Sequence, residues 1–298
     1  MSPSVVVGSG ALIAMLIGFA GTSTIHLSKG VMKLGISRLR PDAPSLVSPV
    51  VSRRGAAIIY GIGIALNFTN PLWVIAANRF APTIYYTSMY GLGLIALLLF
   101  SRFTLRESIR PRQVLGVLVI VFGTLVIGFT ELSQPPTSLF LASRTRVAVV
   151  AGFWLIGAPI AAMLTAGSSI GIQEVVFGAA AGGLAALEAV VKGVAQAGAT
   201  GSTFLPQNAA NWLLFIVSFI GAAGAFAIIQ WSFLRRCRAA MMGAVYTVSY
   251  VSVPLLVVPF LVGSSMINVG CVVGIVILAI GALLVAGSPQ RTGTTALV

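Results

Sequence analysis

The sequence predicts an all-α integral membrane protein, with nine transmembrane helices arranged as two inverted four-helix repeats joined by one linker helix. Its 298 residues are 58% hydrophobic and only 8% charged, whereas charged residues make up about a quarter of a soluble domain. Nine apolar segments are long enough to cross a hydrocarbon core of about 30 Å. The two halves of the chain also contain similar short motifs in the same order.

The first repeat is predicted over residues 8–130, and basic or Asn- and Pro-containing connections separate its four spans. These spans cover about residues 10–31, 56–77, 81–100 and 114–129. Four spans return the chain to the side of the membrane on which it began. The helix that follows therefore decides from which side the second half starts.

That linker helix is predicted at residues 146–166, where the segment 147–164 is almost entirely apolar. A single extra span starts the second repeat, residues 171–287, from the opposite face. Its spans cover about residues 175–196, 212–234, 240–262 and 267–286, and residues 288–298 form a short cytoplasmic tail. Two even-numbered repeats joined by one odd helix must be inverted, which is typical of secondary transporters.

The basic residues predict how the chain is oriented in the bilayer. Alternating the connections between the two faces puts 14 of the 18 Lys and Arg residues opposite the N-terminus and four on the N-terminal side. Because cytoplasmic loops carry the excess of Lys and Arg, the N-terminus is predicted outside and the C-terminus in the cytoplasm. The same distribution explains the net charge of +13 without a nucleic-acid partner.

Three ordered matches indicate that the halves are related. Lys29-Gly30-Val31 matches Lys192-Gly193-Val194 at an offset of 163 residues, and Tyr86 and Tyr90 match Tyr246 and Tyr250 at an offset of 160. Gly116 and Gly123 match Gly274 and Gly281 at an offset of 158. Ordered matches whose offsets drift slowly favour an internal duplication.

Several classes of function are disfavoured by what the sequence lacks. There is no P-loop motif, and one histidine with two separated cysteines gives no His/Cys metal cluster and no disulfide framework. The Gly-x-Gly strings lie inside apolar spans, where glycine serves helix packing. We therefore expect no enzyme and no cofactor; the expected partners are the lipid bilayer and a small cation or small molecule, with a homodimer left open.

Four stretches carry a resemblance to a known family. They are IHLSKGVMKLG at the end of the first span, the LNF…RFAP segment over residues 66–82, LRESIRPRQVLGVLVIVFGTLVIGF from Leu105, and VVKGV at residues 190–194 together with Gln230. In these stretches the chain resembles the drug/metabolite transporter (EamA-like) superfamily, and within it the nine-span NIPA-like magnesium transporters.

The resemblance implies alternating access around a central cavity lined mainly by spans 1, 3, 6 and 8, with Mg²⁺ as the substrate. One position departs from the family's pattern, since Ile64 stands where the family has an acidic residue three positions before Asn67. With five carboxylates in the chain, few of the hard oxygen ligands that Mg²⁺ prefers are available. A small organic metabolite or cation, and a non-transporting scaffold on the same fold, remain as alternatives.

The charged candidates for the substrate site are Glu188, Lys29, Lys192 and His26. Glu188 lies roughly 20 Å along its span from Glu174, and a carboxylate inside the hydrocarbon core indicates a functional site. It either binds a cation or a coupling proton, or pairs with Lys192 four residues on. The two lysines are charge partners or anchors that reach the interface, and His26 is a proton relay or a structural side chain.

The uncharged candidates are Asn67, Asn70, Gln230 and the four tyrosines at 86, 90, 246 and 250. Asn67 and Asn70 precede and flank Pro71, where a disrupted helix would free backbone carbonyls for a substrate; the alternative is interhelical hydrogen bonding. Each half pairs its tyrosines at i and i+4, so two aromatic stripes are expected to face each other. They either pack together or bind an organic cation.

Overall fold

The computed structural model describes residues 9–39, 53–78, 80, 86, 89–132, 139–196, 206, 208–263 and 268–286. Over these residues the chain is helical and contains no strand. The ten α-helices are α1 (Ser9–Leu39), α2 (Arg53–Asn67), α3 (Asn70–Asn78), α4 (Gly93–Phe103), α5 (Pro111–Leu132), α6 (Arg144–Thr165), α7 (Ile170–Gln196), α8 (Ala209–Leu234), α9 (Ala239–Val262) and α10 (Val269–Ala286). Two 3₁₀ turns precede α4 and α6, at Tyr90–Leu92 and Leu139–Leu141.

Seven of these helices are long and apolar enough to cross a membrane, namely α1 and α5 to α10. The protein is therefore a multi-pass helical membrane protein. The two remaining predicted spans correspond to α2 with α3 and to the 3₁₀ turn with α4. Residues 81–85 and 87–88 of the third predicted span lie outside the described residues, as do residue 8 and the predicted tail at 288–298. The count of nine spans stays a prediction.

Helix α1 is longer than the first predicted span: it continues to Leu39, whereas the span was predicted to end near residue 31. No proline interrupts residues 32–39, and Met32, Gly35 and Ile36 continue the buried face of the helix. The extension changes the position of His26 and Lys29 within the helix. Both residues lie well inside a 31-residue helix.

The second predicted span is broken where its sequence suggested a disruption. Helix α2 ends at Asn67, a turn follows at Phe68 and Thr69, and α3 begins at Asn70. Pro71 has no amide hydrogen, so it cannot donate to the Asn67 carbonyl four residues earlier. The break places two amide side chains and this carbonyl in the middle of the second predicted span.

The neighbours of each helix are similar in the two halves. Helix α1 packs against α2 and α4, and α7 packs against α8 and α9. The halves meet chiefly along α5 and α10, which cross as an antiparallel pair. A Cβ atom on Gly116 would lie 2.8 Å from the carbonyl oxygen of Gly281, and one on Gly123 would lie 3.2 Å from that of Gly274. At position 116 only glycine permits this approach without a shift of the backbone, and at position 123 a side chain would be tight.

The linker helix α6 lies at the periphery, where it packs mainly on α7. Trp154 of α6 covers Gly183 of α7 so closely that no Cβ would fit there. Its other face exposes large apolar side chains, including Phe153, Ile156 and Met163. Such a face suits contact with lipid, whereas the opposite face buries Val147, Ala151, Ala158 and Ala162 in the bundle.

Replacing Gly116 with Ala is expected to destabilise the protein, because the new methyl group would press on the Gly281 backbone. Overpacking of this kind costs about 1–3 kcal/mol. The matched control is Gly157→Ala in α6, where a Cβ meets nothing within 4 Å and the change is neutral or stabilising. Thermal unfolding in detergent compares the two variants. Equal melting temperatures would contradict the close crossing of α5 and α10.

Candidate substrate site between the two halves

Five polar and aromatic side chains from three parts of the fold come together in the protein interior: His26, Lys29, Tyr90, Tyr246 and Tyr250. We call them the interior cluster. The edge of the His26 ring meets Tyr90 with 5.0 Å between ring centroids, and Tyr90 stacks on Tyr250 at 4.4 Å. The Nζ atom of Lys29 lies 3.5 Å from the centroid of the Tyr246 ring. Helix α1, the first 3₁₀ turn and α9 thus meet at one place.

Lys29 is buried at 1% exposure, and its ammonium group has no hydrogen-bond partner among the described residues. Its side chain is enclosed by the protein and does not extend to the surface. Its helix offers no acid at the preceding turn, since Ile25 lies four residues before it, whereas Lys192 has Glu188 at the same offset. The two matching lysines therefore have opposite surroundings.

The carboxylates of the described residues all have other partners. Glu107 pairs with Lys33, Glu174 with Arg238 and Glu188 with Lys192. Glu131 accepts a hydrogen bond from the Cys271 thiol at 3.0 Å. In this part of the chain, the Lys29 amino group meets no carboxylate, and the face of the Tyr246 ring lies beside it.

His26 is fully buried beside the Tyr90 backbone, and neither ring nitrogen makes a hydrogen bond of normal geometry with a described residue. The close approach of α4 encloses it. A Cβ on Gly93 would lie 2.5 Å from His26 Cδ2 and 2.6 Å from the Thr22 carbonyl oxygen. Thr22 in turn donates a hydrogen bond to the Met89 carbonyl at 3.2 Å. Position 93 is thus glycine because α4 begins directly on α1.

Three of the four predicted tyrosines meet across the halves, and the fourth does not join them in a stack. The Tyr246 and Tyr250 rings are nearly parallel, 6.0 Å apart, and Tyr90 covers Tyr250. Tyr86 instead donates a hydrogen bond to Asn70 Oδ1 at 2.9 Å and packs with Ala14 and Ala77. The ring face of Tyr246 is occupied by Lys29 of the same chain.

The amide side chains of Asn67 and Gln230 contact residues of neighbouring helices. The Ser28 hydroxyl, next to Lys29, donates to the Ile25 carbonyl at 2.7 Å and lies 3.4 Å from Asn67 Oδ1. Gln230 of α8 accepts a hydrogen bond from the Tyr60 hydroxyl at 3.2 Å and donates to Met32 Sδ at 3.2 Å. These polar contacts connect helices α1, α2 and α8. Tyr60 is a partner that the sequence did not reveal.

Glu188 and Lys192 form the ion pair that was the alternative to a functional Glu188. The pair is partly exposed, and Lys192 also lies over the Phe219 ring at 4.9 Å. Gly221 of α8 packs beside Glu188, where a Cβ would lie 3.6 Å from Glu188 Cβ. A role for Glu188 in binding stays a prediction.

One end of the bundle contains an ion-pair network that the sequence analysis did not single out. Lys33 bonds to the Glu107 carboxylate and to the Cys237 carbonyl, and Glu107 also accepts from the backbone amides of Ala239 and Ala240 at 2.8 and 3.4 Å. Glu107 thus caps the N-terminus of α9 and ties the first half to the second. The scarcity of carboxylates in so basic a chain indicated that each one would be paired.

A second pair extends this network. Arg238 donates three hydrogen bonds to the Glu174 carboxylate. Two come from its side-chain atoms Nε and Nη2, at 2.8 and 2.6 Å, and the third comes from its backbone amide at 2.7 Å. The hydrogen bonds to Glu174 raise the pKa of Arg238 above its ordinary value. The connections preceding α5, α7 and α9, which the charge distribution assigns to one face, therefore lie at one end of the bundle.

The Cys237 thiol, in the turn before α9, is expected to be unreactive in the folded protein. Burial, reinforced by the Glu174 charge, raises its pKa from 9.0 to about 12, so it remains a thiol at pH 8.5. Iodoacetamide should modify it in a Cys271→Ala background only after denaturation. The thiol ionises near pH 9 in the unfolded chain but stays protonated in the folded protein. Folding stability is therefore unaffected by this group below pH 9 and decreases as the pH rises above 9. Rapid native alkylation would contradict the buried position.

The described residues contain no group of three or more His, Cys, Asp or Glu side chains that could hold a metal ion. The fold and composition together define a multi-pass helical membrane protein. Comparisons of the chain with protein-family models, curated proteins and solved structures each find no match. The function must therefore be argued from the site itself.

Proposed function

We propose that this protein is a secondary transporter that moves a small organic solute across the membrane by alternating access, with the interior cluster as the place where the solute is bound. The observation that carries the proposal is the buried amino group of Lys29, which has no carboxylate or hydrogen-bond partner among the described residues. An ionisable group inside a membrane segment is costly and usually serves a substrate or ion pathway.

The contacts between α5 and α10 support the inverted-repeat architecture on which alternating access depends. Gly116 matches Gly274 in sequence, and Gly123 matches Gly281. In the structure Gly116 meets Gly281 and Gly123 meets Gly274. This exchange of partners is what a twofold relation between two equivalent helices produces. An axis of this kind relates the halves of inverted-repeat transporters.

The surroundings of the interior cluster favour an organic solute over Mg²⁺. A bound divalent cation would be repelled by Lys29 in a medium of low dielectric constant. Stacked aromatic rings instead offer apolar surface and polar hydroxyl groups at once. A non-transporting scaffold would gain nothing from a buried ionisable group, because uncompensated buried charge costs stability. An apolar interior would make a scaffold more stable.

Uptake into proteoliposomes tests the proposal. The panel comprises Mg²⁺, followed with an enclosed magnesium-sensitive dye, and radiolabelled amino acids, carboxylates and amines. We expect no saturable Mg²⁺ entry, and saturable entry of one organic class that Tyr250→Ala reduces by about tenfold or more, equivalent to ~1.4 kcal/mol. Phe153→Ala, on the exposed face of α6, is the matched aromatic control.

Two results would contradict the proposal. Saturable Mg²⁺ entry that is lost in Glu188→Gln and unchanged in Tyr250→Ala would indicate an ion transporter that uses the Glu188–Lys192 pair. No uptake of any panel member by correctly folded protein would favour the scaffold.

A further inference from the structure

We propose that the transported solute is a small organic anion, whose carboxylate or phosphate group accepts hydrogen bonds from Lys29 and His26 while its body lies against Tyr90 and Tyr250. This inference rests on the proposed transport function and names the class of substrate. It starts from the buried amino group of Lys29, which lacks a partner among the described residues, and from the buried His26 ring one turn before it on α1.

The first argument is the number of free donors. A charged Lys29 has three N–H groups, and neutral His26 has one. Residues three apart on a helix lie on the same face. Lys29 therefore offers up to three hydrogen bonds on one side of α1, with the His26 ring beside it, and an oxyanion has enough lone pairs to accept them all.

The second argument is charge. Buried charges in proteins are normally paired, and the acidic residues at 107, 131, 174 and 188 have other partners. The fifth, Asp42, lies outside the described residues. Position 25 supplies an isoleucine where the matching lysine has Glu188. An anionic solute would be the ion-pair partner of Lys29, as Glu188 is of Lys192.

The third argument concerns the walls of the site. Tyr90, Tyr246 and Tyr250 form a continuous aromatic surface next to Lys29. Aromatic faces repel an oxyanion but pack well against a flat apolar body. A solute with a charged head and a flat or short apolar body thus fits the cluster better than an inorganic anion.

The test uses three probes that share one ring and differ in charge: benzoate, benzamide and benzyltrimethylammonium. Each is added at about 10 mM to the purified full-length protein in detergent, and the melting temperature is measured. A ligand that binds only the folded state raises it, by about 1–3 °C for a concentration well above Kd. We expect the shift with benzoate alone.

Variants assign that shift to Lys29. Lys29→Met should abolish it, and Lys29→Arg should retain part of it because the charge is kept. Arg102→Met, which removes the same charge at an exposed position on α4, should leave it unchanged. Equal shifts with benzamide, a preference for the cation, no shift with any probe, or a benzoate shift that persists in Lys29→Met would each overturn the anion inference. Saturable uptake of a neutral or cationic solute would then leave the transport function standing.

Discussion

Replacing Lys29 with Met is expected to raise the melting temperature of the protein while abolishing transport. The substitution puts an unbranched apolar side chain, one atom shorter, in place of a buried ionisable group, and replacing buried ionic groups with apolar ones can stabilise a protein by about 1–4 kcal/mol. The lost contact with Tyr246 offsets part of this gain, but the methionine sulfur also packs favourably against aromatic rings. A residue kept at the expense of stability is typical of a functional site.

The matching lysine gives the contrast. Lys192→Met removes a cation that is paired with Glu188 and leaves that carboxylate without its partner. We therefore expect this variant to melt at the same or a lower temperature. Differential scanning fluorimetry in one detergent measures both variants. A lower melting temperature for Lys29→Met would mean that Lys29 serves stability, and would remove the main support for a substrate site there.

Glu107→Ala is expected to have the largest effect on stability, a loss of about 3–5 kcal/mol. Removing one partner of a buried ion pair leaves the other uncompensated, and Lys33 would keep only the Cys237 carbonyl. The backbone amides of Ala239 and Ala240 would lose their acceptor as well. Because this carboxylate connects the two halves, its loss should also make the end of the bundle accessible to water.

Glu107→Gln separates these contributions, since an amide oxygen still accepts from the α9 backbone without a charge for Lys33. Glu131→Ala is the control carboxylate, because it loses a single hydrogen bond from Cys271, worth about 1 kcal/mol. Urea or thermal unfolding ranks the three variants. If Glu107→Ala were no less stable than Glu131→Ala, the ion-pair network would not hold the halves together.

Hydropathy predicted most of the membrane helices because lipid requires long, continuous apolar segments whose backbone bonds are internal. The bounds of α6, α8 and α9 lie within about three residues of the prediction, in keeping with the fraying of helix ends. Hydropathy did not predict the extension of α1, because residues 32–39 mix apolar and basic side chains. Such a segment can form a helix either inside or outside the membrane, so its hydropathy does not mark the end of the helix.

The interior cluster was predictable only in part. Tyrosine spacing within each half indicated two aromatic stripes, but spacing cannot tell which rings meet, and Tyr86 turned to Asn70. The burial of Lys29 follows from the packing of α4 and α9 on α1, which involves residues more than 60 positions apart. The absence of an acid four residues before Lys29 was visible in the sequence and, given the structure, explains why it lacks a partner.

The measurement that tests alternating access most directly is the reactivity of a cysteine placed beside Lys29. Ser28→Cys changes one atom at a fully buried position, in a background with Cys237→Ala and Cys271→Ala. A membrane-impermeant thiosulfonate is applied to right-side-out and to inside-out vesicles, with Ile156→Cys on the exposed face of α6 and Arg102→Cys at the end of α4 as controls. A transporter predicts slow labelling of position 28 from both sides, no labelling at 156, and labelling at 102 from one side. Labelling of position 28 from one side or from neither, while denaturation in detergent makes it fully reactive, would contradict the proposed function.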